Sequence, residues 1–432
     1  MPRLRVCFFN RSYYPEVAST GQLLTELAED LVQHYDCDVT VLAGPALIRA
    51  AGEVAVRPHA LVTEEVCNGV RVLRAWGTCF SRRTLLGRGI NYLTYLLCSC
   101  LAARRVQAPQ VVVSMTDPPV IGLVALLTAY RNRAKLLLWL QDIYPEASRV
   151  LLSKRNRTLD WILNRVSQML VRKADCLVVL GDTMLERLVT RKRAHAAKIR
   201  VIPNWADCSV IVPGPKDNPF SAAHNLANAF VVMHSGNVGL AQGFDSLLDA
   251  AERWQEHPDI VLVIVGDGIA NAGIQAKARA RNLRNVIFLP YQPKEMLRHS
   301  YATADVFIIS LRKGLSGFIV PSKLYGILAS GHPYVAAVED DCEVAVITRQ
   351  RQCGLLARPE DGEDLARQVL TLYRDPELAR QMGRNARQAA LAFDRSVQVR
   401  AHANLFYELA FGAPHYRHLD PAQLPHGSSL AS

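Results

Sequence analysis

Apolar residues come along this chain in short, nearly unbroken runs. In the first half they are LRVCFFN (4–10), DVTVLAG (38–44), QVVVSM (110–115), KLLLWLQD (135–142) and DCLVVLG (175–181). Runs of Val, Leu and Ile of this length predict strands buried on both faces, as in a parallel sheet covered by helices. Between them the period changes. STGQLLTELAEDLVQHY (19–35) spaces Leu23, Leu27 and Leu31 four apart and predicts a helix, whereas GVRVLRAW (69–76) alternates and predicts a half-buried strand. The second half repeats the pattern. AFVVMHSGNVG (229–239), IVLVIVGDG (260–268), NVIFLP (285–290), DVFIIS (305–310) and PYVAAV (333–338) predict strands, with helices over 243–257 and 321–330. Strand–helix alternation in both halves predicts an α/β protein of two tandem Rossmann-like domains with a cleft between them.

The pattern breaks in IRVIPNWADCSVIVPGPKDNPF (199–220), rich in Pro, Gly and Asp without periodicity. This predicts domains over 1–205 and 206–390. The helical patterns 361–374 and 376–411 have no strand after them, and the polar, Pro-containing tail 412–432 predicts disorder.

Charge separates the halves further. The chain carries a formal net charge of +11, but residues 1–205 hold 28 Lys and Arg against 16 Asp and Glu, and residues 206–432 hold 22 against 23. Seven arginines (Arg71, Arg74, Arg82, Arg83, Arg88, Arg104, Arg105) and no acid fall within 71–106, around the apolar stretch INYLTYLLCSCLAA (90–103). That stretch is too short to span a bilayer. An apolar helix with cationic ends suits the surface of an anionic membrane, and this predicts a peripheral protein on the inner face of the cell membrane. No nucleic-acid module or aromatic interleaving accompanies the basic residues, so nucleic acid is not an expected partner. The ten cysteines form no CxxC pair or Cys/His cluster and no signal peptide precedes the first strand, which predicts reduced thiols, a cytoplasmic protein and no metal site.

Candidate chemistry gathers at predicted strand ends. SGNVGLAQG (235–243) offers Ser235, Gly236, Asn237, Gly239 and Gln242, where glycines let backbone N–H groups approach an anion. VGDG (265–268) offers Gly266, Asp267 and Gly268, with room for a base or ribose. In SGFIVPSKLYGILASG (316–331), Ser316 and Gly317 precede a helix with Pro321 in its first turn and Ser322 near its cap. Such an N-terminus suits a diphosphate, and Lys313 and Lys323 supplement its charge. In the first half Gly21 marks the turn after the first strand, and Asp142 and Glu146 follow another strand in LQDIYPEAS (140–148). A carboxylate there can take a proton from an acceptor hydroxyl.

Taken together, FFNRSYYPEVASTGQ, QDIYPEA, VIPNWAD, HSGNVGLAQGFDSLL, VGDG and VPSKLYGILASGHPYVA resemble the retaining, nucleotide-sugar-dependent glycosyltransferases of the GT-B fold. Within them the chain looks like the bacterial branch of O-antigen and capsule amino-sugar transferases. The resemblance implies a nucleotide-sugar donor, UDP-linked, held by the second domain, and a lipid-diphosphate or saccharide acceptor held by the first through Gly21, Glu146 and Asn204. It implies a helix at 391–411 that crosses back to the first domain, front-face transfer of an N-acetylamino sugar with retention, and no cofactor or metal. Two departures stand out. The family's glutamate pair, eight apart, falls on Phe318 and Gly326, and its basic pair falls on Asn237 and Gln242. The alternatives are a nucleotide-sugar 2-epimerase of the same fold and a non-catalytic nucleotide-sugar-binding relative.

Overall fold

The computed structural model describes residues 3–16, 18–45, 60–80, 85–151 and 157–412. The expected tail 413–432 and Arg82 and Arg83 lie outside the described residues. The first half forms an eight-stranded sheet of β1 (Leu4–Phe9), β2 (Cys37–Ala43), β3 (Val62–Cys67), β4 (Val70–Ala75), β5 (Val111–Ser114), β6 (Lys135–Trp139), β7 (Cys176–Val179) and β8 (Ile199–Val201), in the order β3-β4-β2-β1-β5-β6-β7-β8. The second half forms a six-stranded sheet of β9 (Phe230–Ser235), β10 (Ile260–Val265), β11 (Val286–Leu289), β12 (Val306–Ser310), β13 (Tyr334–Ala337) and β14 (Gly354–Ala357), in the order β11-β10-β9-β12-β13-β14. Pairing is parallel throughout except between β3 and β4. Each sheet is buried on both faces by helices, as its apolar strands require.

Strand order reverses between β1 and β5 in one sheet and between β9 and β12 in the other. Loops beyond such switch points are where open α/β sheets bind ligands. The two sets of loops meet: Asp142 pairs with Ile319 in an antiparallel bridge, and Ile143 N–H donates to the Phe318 carbonyl at 2.9 Å.

The helix Arg395–Phe411 returns to the first sheet, where Val399, Ala403 and Phe406 join its core. Arg395 holds both oxygens of Asp30 at 2.7 Å, and Trp139 and Trp205 stack at 5.9 Å beside His402. These contacts clamp the linker and the final helix to the first half.

The edge strand β3 (VTEEVC) escapes the sequence reading because only Val62 of its six residues is buried. Its absence from that reading distorted the charge picture. Glu64 and Glu65 on β3 pair with Arg71 at 2.7 Å and Arg74 at 2.5 Å on β4. Two of the seven arginines are therefore neutralised within the sheet.

Candidate active site

Glycines build the floor of the second domain's site by letting two backbones touch. Gly236 and Gly266 follow the paired ends of β9 and β10 with φ of +126° and +138°. A Cβ on Gly266 would stand 2.0 Å from the Gly236 carbonyl oxygen. Gly266→Ala is thus expected to cost about 3 kcal/mol through strain and overpacking, lowering the urea midpoint and abolishing nucleotide binding. An unchanged midpoint would sink this account.

Three backbone N–H groups of the loop are engaged within the protein. Gly236 N–H donates to Val265 O at 2.9 Å, Val238 N–H to Asp267 O at 3.0 Å, and Gly239 N–H to the Gln242 side chain at 3.0 Å. Gln242 therefore folds back on its own turn. Asn237 crowds it too, its Nδ2 only 2.8 Å from where a Cβ of Gly239 would be. The Asp267 carboxylate accepts from Gly268 N–H at 2.7 Å and from Asn271 at 3.0 Å, closing the turn into the next helix.

The cation that faces this loop is Lys323. It opens the helix Lys323–Ser330; Pro321 stands just before the cap Ser322, and its carbonyl accepts from Leu324 N–H at 3.2 Å. Lys323 Nζ lies 3.1 and 3.4 Å from the two ring nitrogens of His234, and its Cε lies 3.9 Å from where a Cβ of Gly236 would stand. Among the described residues it has no carboxylate partner, and burial pushes its ammonium down to about 7. His234 is fully buried and held well below its ordinary value, by burial first and by Lys323 second. The other cations differ: Arg312 is 3.4 Å from Glu360, and Lys313 is exposed.

The loop 311–322 is tied on both sides. Arg312 N–H donates to Ala241 O at 2.8 Å, which fixes it to the glycine loop. Glu339 accepts from Gly314 N–H at 2.8 Å and Ser316 N–H at 3.3 Å. Gly317, at φ +72°, lets the Arg187 side chain of the first domain lie against it; that guanidinium stacks over Phe318 at 5.8 Å and pairs with Asp341 at 2.6 Å. The Ser316 hydroxyl is buried beneath this loop with no hydrogen-bond partner.

Across the cleft, Asp142 follows β6. Burial pushes its carboxyl up to about 6; a hydrogen bond with Tyr144 opposes the shift and Asp117 adds to it. Asp117 pairs with Arg11 at 2.9 Å and accepts from Ser12 at 2.7 Å, and Glu16 stands 3.5 Å from Arg11. An apolar cavity of about 40 Å³, lined by Met115, Leu138, Leu163 and Val166 among others, borders Asp142.

The remaining first-domain candidates are engaged within the protein. Glu146 pairs with the buried Lys192 at 2.7 Å, and Lys192 also donates to the Tyr144 carbonyl at 2.9 Å. This pair fixes the loop that carries Asp142. The Asn204 amide exchanges hydrogen bonds with Gln141 at 2.8 and 3.2 Å. A Cβ on Gly21 would stand 3.3 Å from the Ser12 backbone, so glycine lets the first helix start close beside the β1 loop. His234 and Arg187 were not singled out from the sequence, although His234 immediately precedes Ser235 in the quoted glycine stretch. Among the described residues no group of three His, Cys, Asp or Glu is placed to hold a metal ion, and no helix is long and apolar enough to cross a membrane.

Both halves of the chain match known protein families. Residues 20–205 match the family described as glycosyl transferase 4-like domain, and residues 217–389 match glycosyl transferases group 1. The chain is 27% identical over 294 residues to "Probable glycosyltransferase WbjE" of Pseudomonas aeruginosa, covering 67% of this chain and 72% of that one. It is 26% identical over 219 residues to WcaI of Escherichia coli K12, named for colanic acid biosynthesis, covering 49% of this chain and 53% of that one. Sucrose-phosphate synthase of Thermosynechococcus elongatus superposes with a TM-score of 0.75 at 17% identity, over 95% of this chain and 100% of that one. Anabaena HepE, solved with UDP and glucose, gives 0.70 at 16%, over 93% and 99%. At such identities the structural likeness speaks to fold, which is GT-B. With the two family models matched in order along most of its length, the chain belongs to the group 1 glycosyltransferases and has relatives in bacterial cell-surface polysaccharide synthesis.

Proposed function

We propose that this glycosyltransferase moves a sugar, an N-acetylamino sugar in the reading of its sequence, from a UDP-linked donor to a hydroxyl of a lipid-diphosphate or saccharide acceptor, with retention. The observation that carries the donor half is Lys323, a half-buried cation that has no carboxylate partner among the described residues and stands at a helix N-terminus beside Gly236. A diphosphate supplies the missing counter-charge, and the helix dipole adds to it. Ser235, Asn237, Gly239, Gln242, Ser316, Gly317, Pro321 and Ser322 surround that position, with Lys313 at its exposed rim, and Gly266 to Gly268 border the nucleoside. Asp142 faces them from the acceptor side, with Gly21, Glu146 and Asn204 shaping that wall indirectly. As the acceptor oxygen bonds to the anomeric carbon, the bond to the diphosphate breaks on the same face, and the acceptor's proton passes to the departing diphosphate. No metal enters this scheme. A 2-epimerase needs free acid and base carboxylates beside the donor, whereas Glu339 and Glu360 there are bound to backbone N–H groups and to Arg312.

The test is thermal stability with UDP, GDP, ADP and dTDP in EDTA. A rise with one diphosphate supports the donor site and identifies the nucleotide for a transfer assay. No rise with any would overturn the donor site.

The acceptor half draws on surface chemistry. Leu93 and Leu97 on the helix Leu85–Ala102, Leu127 and Tyr130 on Gly122–Asn132, and Trp161 and Ile162 on Arg157–Lys173 are all exposed. These helices pack in series, and Arg104 and Arg165 stand among them. An apolar face with cations suits an anionic membrane surface, where each basic residue contributes about 1 kcal/mol. The protein is expected to co-sediment with phosphatidylserine-containing vesicles at about 0.1 M salt and to leave them near 1 M. Binding unchanged at high salt would assign the contact to the apolar residues alone.

A further inference from the structure

The loop that leads to Lys323 is built half into the other domain. Phe318 and Val320 join the apolar cluster of the first domain that holds Ile143, Met184 and Leu188. Leu315, Ile319 and Leu324 join a cluster of the second domain. Side chains alternate across an extended backbone in this way, and the bridge between Ile319 and Asp142 runs along it. The helix Asp182–Lys192 of the first domain closes on the same loop. Thr183 and Arg187 are one turn apart, and a Cβ on Gly317 would stand 3.0 Å from Thr183 Cγ2 and 2.6 Å from Arg187 Cγ. Past the Phe318 ring the Arg187 guanidinium donates to the Asp341 carboxylate at 2.6 Å, and the Thr183 hydroxyl donates to the Asp341 carbonyl at 2.9 Å. The cap of this helix also comes from the second domain. Gly181 brings no side chain to it, and the Glu343 carboxylate accepts from the Asp182 and Thr183 N–H groups instead. A Cβ on Gly181 would collide with that carboxylate, so glycine is what admits it.

We infer that Arg187 is a positioning residue for the donor: from the first domain it fixes the turn at Gly317 and Phe318 that delivers Ser316, Ser322 and Lys323 to the diphosphate. The inference rests on the donor site proposed above. Within the second domain, Glu339 holds the loop at Gly314 and Ser316, ahead of that turn. At the turn the hold passes to the first domain, through Arg187 against Gly317 and Phe318 and through Ile143 N–H on the Phe318 carbonyl. Without Arg187 the turn samples other positions. Binding must then order it, which lowers affinity although Arg187 itself meets the loop and not the ligand. The cost falls on the diphosphate, because the nucleoside end is bordered by Gly266 to Gly268, which belong to another loop.

The experiment measures binding of UDP by calorimetry and of uridine by ligand-observed NMR, or the corresponding pair for whichever diphosphate the protein binds. The full chain is compared with Arg187→Met, which keeps an apolar stem over Gly317 and removes the ion pair. This variant is expected to weaken UDP by about tenfold and to leave uridine unchanged. Its Tm should stay close to that of the wild type, because the Arg187–Asp341 pair is partly exposed. Arg187→Lys, which keeps a charge for Asp341, is expected to recover most of the loss. If Arg187→Met does not fold, Asp341→Asn is read in its place and is expected to show the same selective loss. A folded variant that binds UDP as tightly as the wild type overturns the inference and leaves the donor site intact. So does one that loses UDP and uridine in equal proportion, since a brace on the whole fold would act on both. Failure of the wild-type protein to bind any of UDP, GDP, ADP or dTDP overturns the donor site, and this inference with it.

Discussion

Replacing Lys323 by glutamine is expected to lower kcat/KM by about 10² to 10³, the usual cost of removing one preorganised group that stabilises developing charge. The loss should fall on the diphosphate, whose charge grows as the sugar leaves. Lys323 is the cation for this role because Arg312 is paired with Glu360 and Lys313 is exposed. Stability should move the other way. A base held at about 7 when folded and near 10.5 when unfolded binds fewer protons in the folded state. The folded protein therefore gains stability as pH rises from about 7 toward 10.5, and below 7 the full cost of burying the ammonium remains. Lys323→Met removes that cost and is expected to raise Tm at pH 6 while abolishing donor binding. A lysine that merely braced the fold would lower Tm on replacement. The same ionisation predicts that a UDP-linked N-acetylamino sugar, whose diphosphate keeps its charge across this range, binds more weakly as pH climbs through 7 and takes up a proton on binding. Calorimetry in buffers of different ionisation enthalpy reads that proton directly; no uptake would remove Lys323 from the site.

What the sequence could disclose followed from how local each signal was. Strands buried on both faces announce themselves as apolar runs, and β1, β5, β9 and β10 are read from their own residues. The strand-end positions of Gly266 and Asp142 were legible for the same reason, since each follows such a run. β3 was not, because its edge position leaves one strand partner and little apolar burial. Missing it left Arg71 and Arg74 looking like free cations. Glu146 looked like an acceptor contact because its partner Lys192 is 46 residues away. The glycine loop looked like a cradle of N–H donors because the acceptors of Gly236 and Val238 lie on another strand end.

Asp142→Asn is expected to reduce transfer by about 10², because the carboxylate orients the acceptor hydroxyl whose proton passes to the diphosphate. Donor affinity should stay unchanged, which separates this variant from those at Lys323. The pH profile gives a second reading. Burial holds the Asp142 carboxyl at about 6, above its ordinary value, so its ionised form is lost as pH falls through 6. In kcat/KM for the acceptor, this predicts an acid limb near 6 that the asparagine variant lacks. With Lys323 losing its proton near 7 in the free enzyme, kcat/KM for the donor should fall as pH climbs through 7. In kcat the alkaline limb should move upward, because a bound diphosphate keeps the ammonium charged. Full activity of Asp142→Asn with tight acceptor binding would rule out the role and turn attention to the Arg11–Asp117 pair beside it. The position argues for Asp142 first, since its backbone is bridged to Ile319, four residues before Lys323. One bridge between the sheets thus fixes the distance between the group that meets the acceptor and the group that meets the departing diphosphate.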